Sequence, residues 1–293
     1  MREKTIYALG FFDGVHLGHQ ALLTACKHLA QLNHCRAGAV TFGSHPEALV
    51  KGTPPMLINT VEQRCRILQD YGMAQIRVLP FDEKLRSMHW QTFLESLLAE
   101  GAAGFVCGDD FRFGYRGEGD AEKLAAFCRE RSLPWEVVQA QNLHDTRISS
   151  THIRKLLEMG QMTEAVCFLG HPHVISGTVV PGRQLGRTIG IPTANLLLPE
   201  GVICPRFGVY AAEAEVEGKK YPAVTNIGTR PTVEGDHVTV EPWLLDFDGD
   251  LYGKRLTLLL YHFLRPEQKF SSLEELKSQI QKDAVQTRKM LQN

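Results

Sequence analysis

The rhythm of apolar and polar positions changes once along this chain, near residue 150. Before that point short apolar runs alternate with stretches of helical period. Strands are predicted at 5–12, 37–42, 75–80, 105–107 and 135–138, and helices at 20–31, 60–71, 91–100 and 121–131. Such alternation predicts an α/β domain, a mainly parallel sheet with helices on its faces. Ligands of such sheets bind beyond the carboxyl ends of the strands.

Beyond residue 150 two helices are predicted, 151–158 and 162–169, joined around Gly160. Strands then dominate, at 174–180, 208–215, 221–225, 237–247 and 255–263. Turn signals such as Val216-Glu-Gly-Lys and Asp248-Gly-Asp separate them, as in a closed or nearly closed antiparallel barrel. The last stretch, 272–291, has the period of one amphipathic helix. Ser272 and Glu275 have capping-box spacing, and Leu273, Leu276, Ile280 and Ala284 share one apolar face. The boundary falls near 160–173, giving domains 1–165 and 166–293 that abut without a low-complexity linker.

Composition narrows the partners. The 293 residues suffice for two ordinary domains, and 43% apolar with 22% charged residues is the balance of a soluble protein. A formal net charge of -1 gives no overall drive toward nucleic acid or acidic membranes, so neither is expected as a partner. No apolar run approaches the roughly 20 residues of a membrane span. The start leads directly into a strand, so no signal peptide is expected. Seven scattered cysteines without a C-x-x-C pair read as reduced thiols of a cytoplasmic protein rather than zinc ligands. A homo-oligomer is neither indicated nor excluded.

Two segments carry phosphate chemistry. In Gly10-Phe-Phe-Asp-Gly-Val-His16-Leu-Gly18-His19, two imidazoles three residues apart open a helix directly after a strand. The helix N-terminus offers unpaired N–H groups and a positive dipole end to phosphate oxygens. His16 and His19 lie on one side of its first turn, placed to donate to charge building on a reacting phosphorus. Gly18 lets backbone and phosphate approach closely. Near the end of the same domain, Arg147-Ile-Ser-Ser150-Thr151-His-Ile-Arg154 adds hydroxyls, a second helix start and two guanidinium groups, or is simply a capped helix. Between them, Asp110, Phe111 and Phe113 lie in a Gly- and aromatic-rich loop able to pack on a ring, or to make a turn over buried phenylalanines.

The second segment runs from Gly182 to Asn195. Thr193 and Asn195, two apart, point to one face of an extended chain and offer oxygen ligands that Mg²⁺ accepts beside ATP phosphates. Gly182, Gly186, Arg187 and Gly190 suit a flap over phosphates, though no Gly-Lys-Ser/Thr follows as in a Walker loop. Pro-Thr-Ala-Asn alone reads more readily as a turn. Phosphorylating an alcohol needs a carboxylate near the attacking hydroxyl. Glu241 is the candidate base, with Asp246 and Asp250 as rivals.

Taken together, Gly10–Gln20, Thr41–Pro46, Gly108–Gly114 and Ser149–Arg154 resemble the adenylyltransferase module of bacterial bifunctional riboflavin kinase/FAD synthetases. Gly186–Asn195, Phe207–Ala211, Asn226–Thr232 and Val240–Phe247 resemble the riboflavin kinase module of the same family, as do Leu251–Gly253 and Leu264–Phe270. Ser44, His152, Ile191 and Trp243 depart from its commoner residues. The resemblance implies a Rossmann-like nucleotidyltransferase domain and a six-stranded barrel with a C-terminal helix. Riboflavin and ATP would give FMN in the barrel, and FMN and ATP would give FAD in the first domain. It further implies nucleotide contacts from Gly10, Phe12, Asp13, His16, Gly18, His19, Arg147, Ser150, Thr151 and Arg154, and flavin contacts from Asp110, Phe111 and Phe113. In the barrel it implies Mg·ATP held by Thr193 and Asn195, with Gly182, Gly186, Arg187, Gly190 and Asn226 around the phosphates and Glu241 as base.

Overall fold

The computed structural model describes residues 4–51, 54–182, 186, 190–232 and 235–292, with backbone alone for 50, 51, 230–232 and 235–237. The chain divides into two compact units, Met1–Ser150 and Thr151–Asn293.

In the first unit five parallel strands are ordered β3-β2-β1-β4-β5. They are β1 (Thr5–Leu9), β2 (Arg36–Phe42), β3 (Gln75–Leu79), β4 (Ala102–Gly108) and β5 (Trp135–Val138). β1 is buried along its whole length, which is why it reads as a continuous apolar run rather than an alternation. The covering helices are α1 (Leu17–Leu32), α2 (Pro46–Lys51), α3 (Val61–Asp70), α4 (Glu83–Arg86), α5 (Trp90–Ala99) and α6 (Ala121–Glu130). Starts are fixed by side chains: Thr60 and Gln63 form a reciprocal capping box on α3, and Asp120 caps α6. A two-residue hairpin follows, β6 (Asn142–Leu143) and β7 (Thr146–Arg147). Strand order reverses between β1 and β4, the switch point where open α/β sheets leave a crevice.

The second unit carries α7 (Ser150–Met159), whose first residue closes the first unit, and α8 (Met162–Leu169), with Gly160 at φ 76 between them. An antiparallel sheet follows, ordered β8-β13-β10-β11-β12-β9. Its strands are β8 (His173–Thr178), β9 (Leu196–Leu197), β10 (Gly208–Val216), β11 (Lys219–Thr232), β12 (Gly235–Leu244) and β13 (Arg255–Arg265). Just past the end strands, the Val180 N–H donates to the Asn195 carbonyl at 2.9 Å, so the sheet curls into a nearly closed barrel. Helix α9 (Leu273–Leu291) packs on β10, β11 and β13. It docks through a fork: Arg265 Nε and Nη2 donate to the Asp283 carboxylate at 2.7–3.1 Å, with Asp283 only 2% exposed.

Four expectations need correction. The strand expected at 221–225 extends over Lys219–Thr232, because residues 219–227 pair with β10 and residues 223–232 with β12. The strand expected to run to 247 stops at Leu244, since Asp246 turns the chain at φ 61. On α9 Leu273 is 59% exposed and stands off the apolar face, which runs from half-buried Leu276 and Ile280 to buried Ala284, with Asp283 and Thr287 buried beside it. Its start also differs from a capping box: Ser272 accepts from the Glu275 N–H, but Glu275 accepts from Ser271.

His173, at the start of β8, is fully buried with neither ring nitrogen hydrogen-bonded. Burial, followed by the nearby His171, depresses its pKa to about 3. The unfolded chain therefore takes a proton as pH falls below the ordinary histidine value while the folded chain does not. Stability is whole above that value and drains away toward pH 3. His173→Leu should lose about 2 kcal/mol less than the parent between pH 7 and pH 5, measured by urea unfolding.

Candidate active sites

The turn after β1 is the most constrained backbone of the first unit. Phe12, Gly14 and Val15 have φ of 59, 79 and 40°, and the last is strained for a β-branched residue. Neighbouring groups hold it. The Asp13 carboxylate, 3% exposed, accepts the N–H groups of Ile58 at 2.8 Å and Asn59 at 3.4 Å. Thr41 Oγ1 donates to the Phe11 carbonyl at 2.8 Å, and Ser150 Oγ to the Asp13 carbonyl at 2.9 Å. Ser150 thus brings the start of α7 to this turn.

His16 caps α1: its Nδ1 accepts the His19 N–H at 3.3 Å. The two imidazoles stack, centroids 3.6 Å apart and planes 15° from parallel. Burial, then His16, then Arg64 push the His19 pKa well below its usual value, so His19 is neutral at pH 7. A neutral ring still donates one N–H. The glycines serve neighbours within the turn: a Cβ on Gly18 would stand 3.3 Å from the His16 ring, and one on Gly10 would stand 3.0 Å from the Phe12 ring. Phe12 is itself wholly buried, edge-on to His19, so only its backbone can meet a ligand.

Asp110, just after β4, and Arg147, on β7, form an ion pair at 2.5 Å. Phe111 and Phe113 stack at 5.6 Å, and Phe113 is buried against Phe93 and Trp90. Gly119 permits this, because a Cβ there would sit 2.7 Å from the Phe113 ring. Phe113 lines a cavity of about 550 Å³ that begins at Phe42 and Pro46 and is bounded by Phe81, Arg86 and Arg116. Asp110 and Phe111 do not line it. Within α7, Arg154 donates to the Thr151 hydroxyl at 3.3 Å, and His152 packs edge-on to Phe168 at 4.7 Å.

In the barrel the candidate residues gather along β12. Asn226 stands opposite Glu241 in the β11–β12 ladder. On the other side Leu196 pairs with Val240, and the Ala194 N–H donates to the Pro242 carbonyl at 2.9 Å, which sets Asn195 beside Glu241 along that ladder. Glu241 accepts from the Thr239 hydroxyl at 3.4 Å. Gly182 lies against the Asn195 amide, where a Cβ would clash. Thr193 lines a cavity of about 220 Å³ with Pro192, Phe247 and Asp250. The rival carboxylates are engaged: Asp246 with Arg288 at 2.5 and 2.9 Å, Asp250 with the Tyr252 N–H at 3.0 Å. Gly186 accepts the Ile191 N–H through its carbonyl at 2.7 Å, Gly190 has φ 75, and Arg187 lies outside the described residues. Sequence reasoning does not single out Glu267, which accepts from Asn226 Nδ2 at 3.2 Å, nor Arg64 and Arg86. Glu267 stands in the Leu-Arg-Pro-Glu segment that carries part of the family resemblance, so a signal exists; Arg64 gives none, being one basic residue on a polar helix.

A parallel sheet with paired imidazoles at its switch point, joined to a barrel with an amide–carboxylate cluster, defines a two-part nucleotide-dependent transferase. The FAD synthetase family model matches residues 1–152 and the riboflavin kinase model matches 169–291. The bifunctional riboflavin kinase/FMN adenylyltransferase of Escherichia coli K12 is 38% identical over 291 residues, covering 98% of this chain and 93% of its own length. That of Listeria monocytogenes is 34% identical over 287 residues, covering 97% and 91%. A solved structure from Streptococcus pneumoniae, described as a macrolide-efflux protein, superposes with a TM-score of 0.87 at 30% identity over 98% of this chain and 95% of that one. No helix among the described residues here is long and apolar enough to cross a membrane. The chain belongs to the bifunctional riboflavin kinase/FMN adenylyltransferase family.

Asp13→Ala would leave two buried N–H groups without their acceptor. It should cost about 2–3 kcal/mol, read as a lowered urea midpoint with unchanged slope.

Proposed function

We infer that this chain makes flavin cofactors in two steps: it phosphorylates riboflavin with ATP to give FMN, then transfers AMP from a second ATP to FMN, giving FAD and pyrophosphate. The observation that carries this is the presence, on one chain, of both family matches, each over a unit that holds its own polar cluster. We assign adenylyl transfer to residues 1–165 and the kinase to 166–293, in a cytoplasmic protein.

In the kinase, Glu241 takes the proton of the ribityl 5′-hydroxyl as its oxygen attacks the γ-phosphorus and ADP leaves. Asn226 and Asn195 flank the carboxylate and orient it and the nucleotide. The Thr193 hydroxyl and Asn195 carbonyl are hard, neutral oxygen donors, and Gly182 leaves Asn195 its place. They fit Mg²⁺ in the company of ATP phosphates, which supply the negative charge. When bound, the ion neutralises the polyphosphate. Gly182, Gly186, Arg187 and Gly190 cover the phosphates in this reading.

In adenylyl transfer, an FMN phosphate oxygen attacks the α-phosphorus of ATP and pyrophosphate leaves. His16, His19 and the α1 start donate to the charge that builds there, with no covalent intermediate. Ser150, Thr151, Arg154 and Arg147 hold further phosphate oxygens in this reading, and Gly10, Phe12, Asp13 and Gly18 shape the nucleotide's turn. The cavity between Pro46 and Arg116 has room for a flavin ring against Phe113, with Phe111 and Asp110 supporting its wall.

Purified protein with riboflavin, ATP and Mg²⁺ should yield FMN and then FAD by chromatography. No FMN refutes the kinase, and FMN without FAD refutes the transferase. Glu241→Gln should slow FMN formation by about 100-fold or more while FAD formation from supplied FMN stays normal.

A further inference from the structure

Among the described residues Arg64 is the largest fully buried side chain, and it is charged. It stands on the first turn and a half of α3, whose start is fixed by the Thr60–Gln63 capping box. Its Nη2 donates to the Phe42 carbonyl at 2.5 Å, at the carboxyl end of β2. Its guanidinium carbon lies 4.4 Å from the centre of the Phe11 ring, at the carboxyl end of β1. Nε and Nη1 are buried without an acceptor. Among the described residues Arg64 makes no ion pair; Asp13 attracts it only through space, its Oδ1 being taken by backbone N–H groups.

A buried guanidinium with two unused donors is costly, and packing alone would be served better by an apolar side chain. The cost makes sense where negative charge arrives. Both residues that Arg64 touches adjoin the candidate site: Phe11, met through its ring, stands in the turn that leads to His16 and His19, and Phe42, met through its carbonyl, lines the 550 Å³ cavity. Its field also reaches His19.

We propose that Arg64 is a positioning residue for adenylyl transfer: it holds the ends of β1 and β2 together and lends the turn a fixed positive charge, felt through space by the reacting phosphates. This rests on the assignment of that reaction to the first unit. Because the charge on the phosphates redistributes in the transition state, the effect falls mainly on kcat rather than on ATP binding.

The test compares Arg64→Met and Arg64→Lys in the full chain, with FMN, ATP and Mg²⁺ as substrates. Riboflavin phosphorylation by the barrel serves as the internal control. Arg64→Met should lower kcat for FAD formation by about tenfold or more with KM for ATP within about threefold, and leave FMN formation unchanged. Arg64→Lys, which keeps the charge, should recover kcat to within about threefold of the parent. Normal kcat in Arg64→Met overturns the proposal. Equal loss in both variants also overturns it, since that marks packing without a role for charge. If Arg64→Met melts too early to assay, Arg64→Gln replaces it: normal kcat, or a loss equal to that of Arg64→Lys, again overturns the proposal. A parent protein that makes no FAD would instead sink the functional assignment on which this rests.

Discussion

The reversal of the chain between β1 and α1 is the constraint on which the first unit depends. Positive φ at Phe12 and Val15 costs on the order of 1–3 kcal/mol each and persists only if surroundings enforce it. They do so from three directions: the Asp13 carboxylate gripped by residues 58 and 59, the Thr41 hydroxyl on the Phe11 carbonyl, and Ser150 on the Asp13 carbonyl. Loosening any of these lets the backbone relax toward ordinary angles. The stacked imidazoles would then separate, because His16 caps α1 at the far side of the same reversal.

The barrel solves its positioning differently. Its cluster needs no strained turn, since sheet register alone sets Asn226 and Asn195 on either side of Glu241. The weak point is β9, two residues long, whose hold on β12 is helped by the Ala194–Pro242 and Val180–Asn195 hydrogen bonds. Precision in one unit comes from a locked loop, and in the other from a ladder.

Much of this architecture is legible in the sequence. Buried strands such as β1 and β4 announce themselves as apolar runs, and α1, α6 and α8 as helical periods. The helices α2 and α4 span less than two turns, and the strands β6, β7 and β9 two residues each, too short for any period to show. The imidazole pair and the Thr193–Asn195 spacing are legible because their chemistry depends on local separation. Glu267 against Asn226 and Arg64 against Phe11 are not, because those contacts join residues 41 and 53 positions apart through tertiary folding alone. Asp13 shows a further role that its motif hides: its carboxylate holds the chain at residues 58 and 59, 45 and 46 positions away.

Gly18 illustrates how a site can restrict its own evolution. The volume its missing methyl would take belongs to the His16 ring. Alanine at that position would press on the imidazole at 3.3 Å, so the ring would have to shift by a few tenths of an ångström against its partner in the stack. A substitution at 18 is therefore felt first at 16, and the two positions form one steric unit.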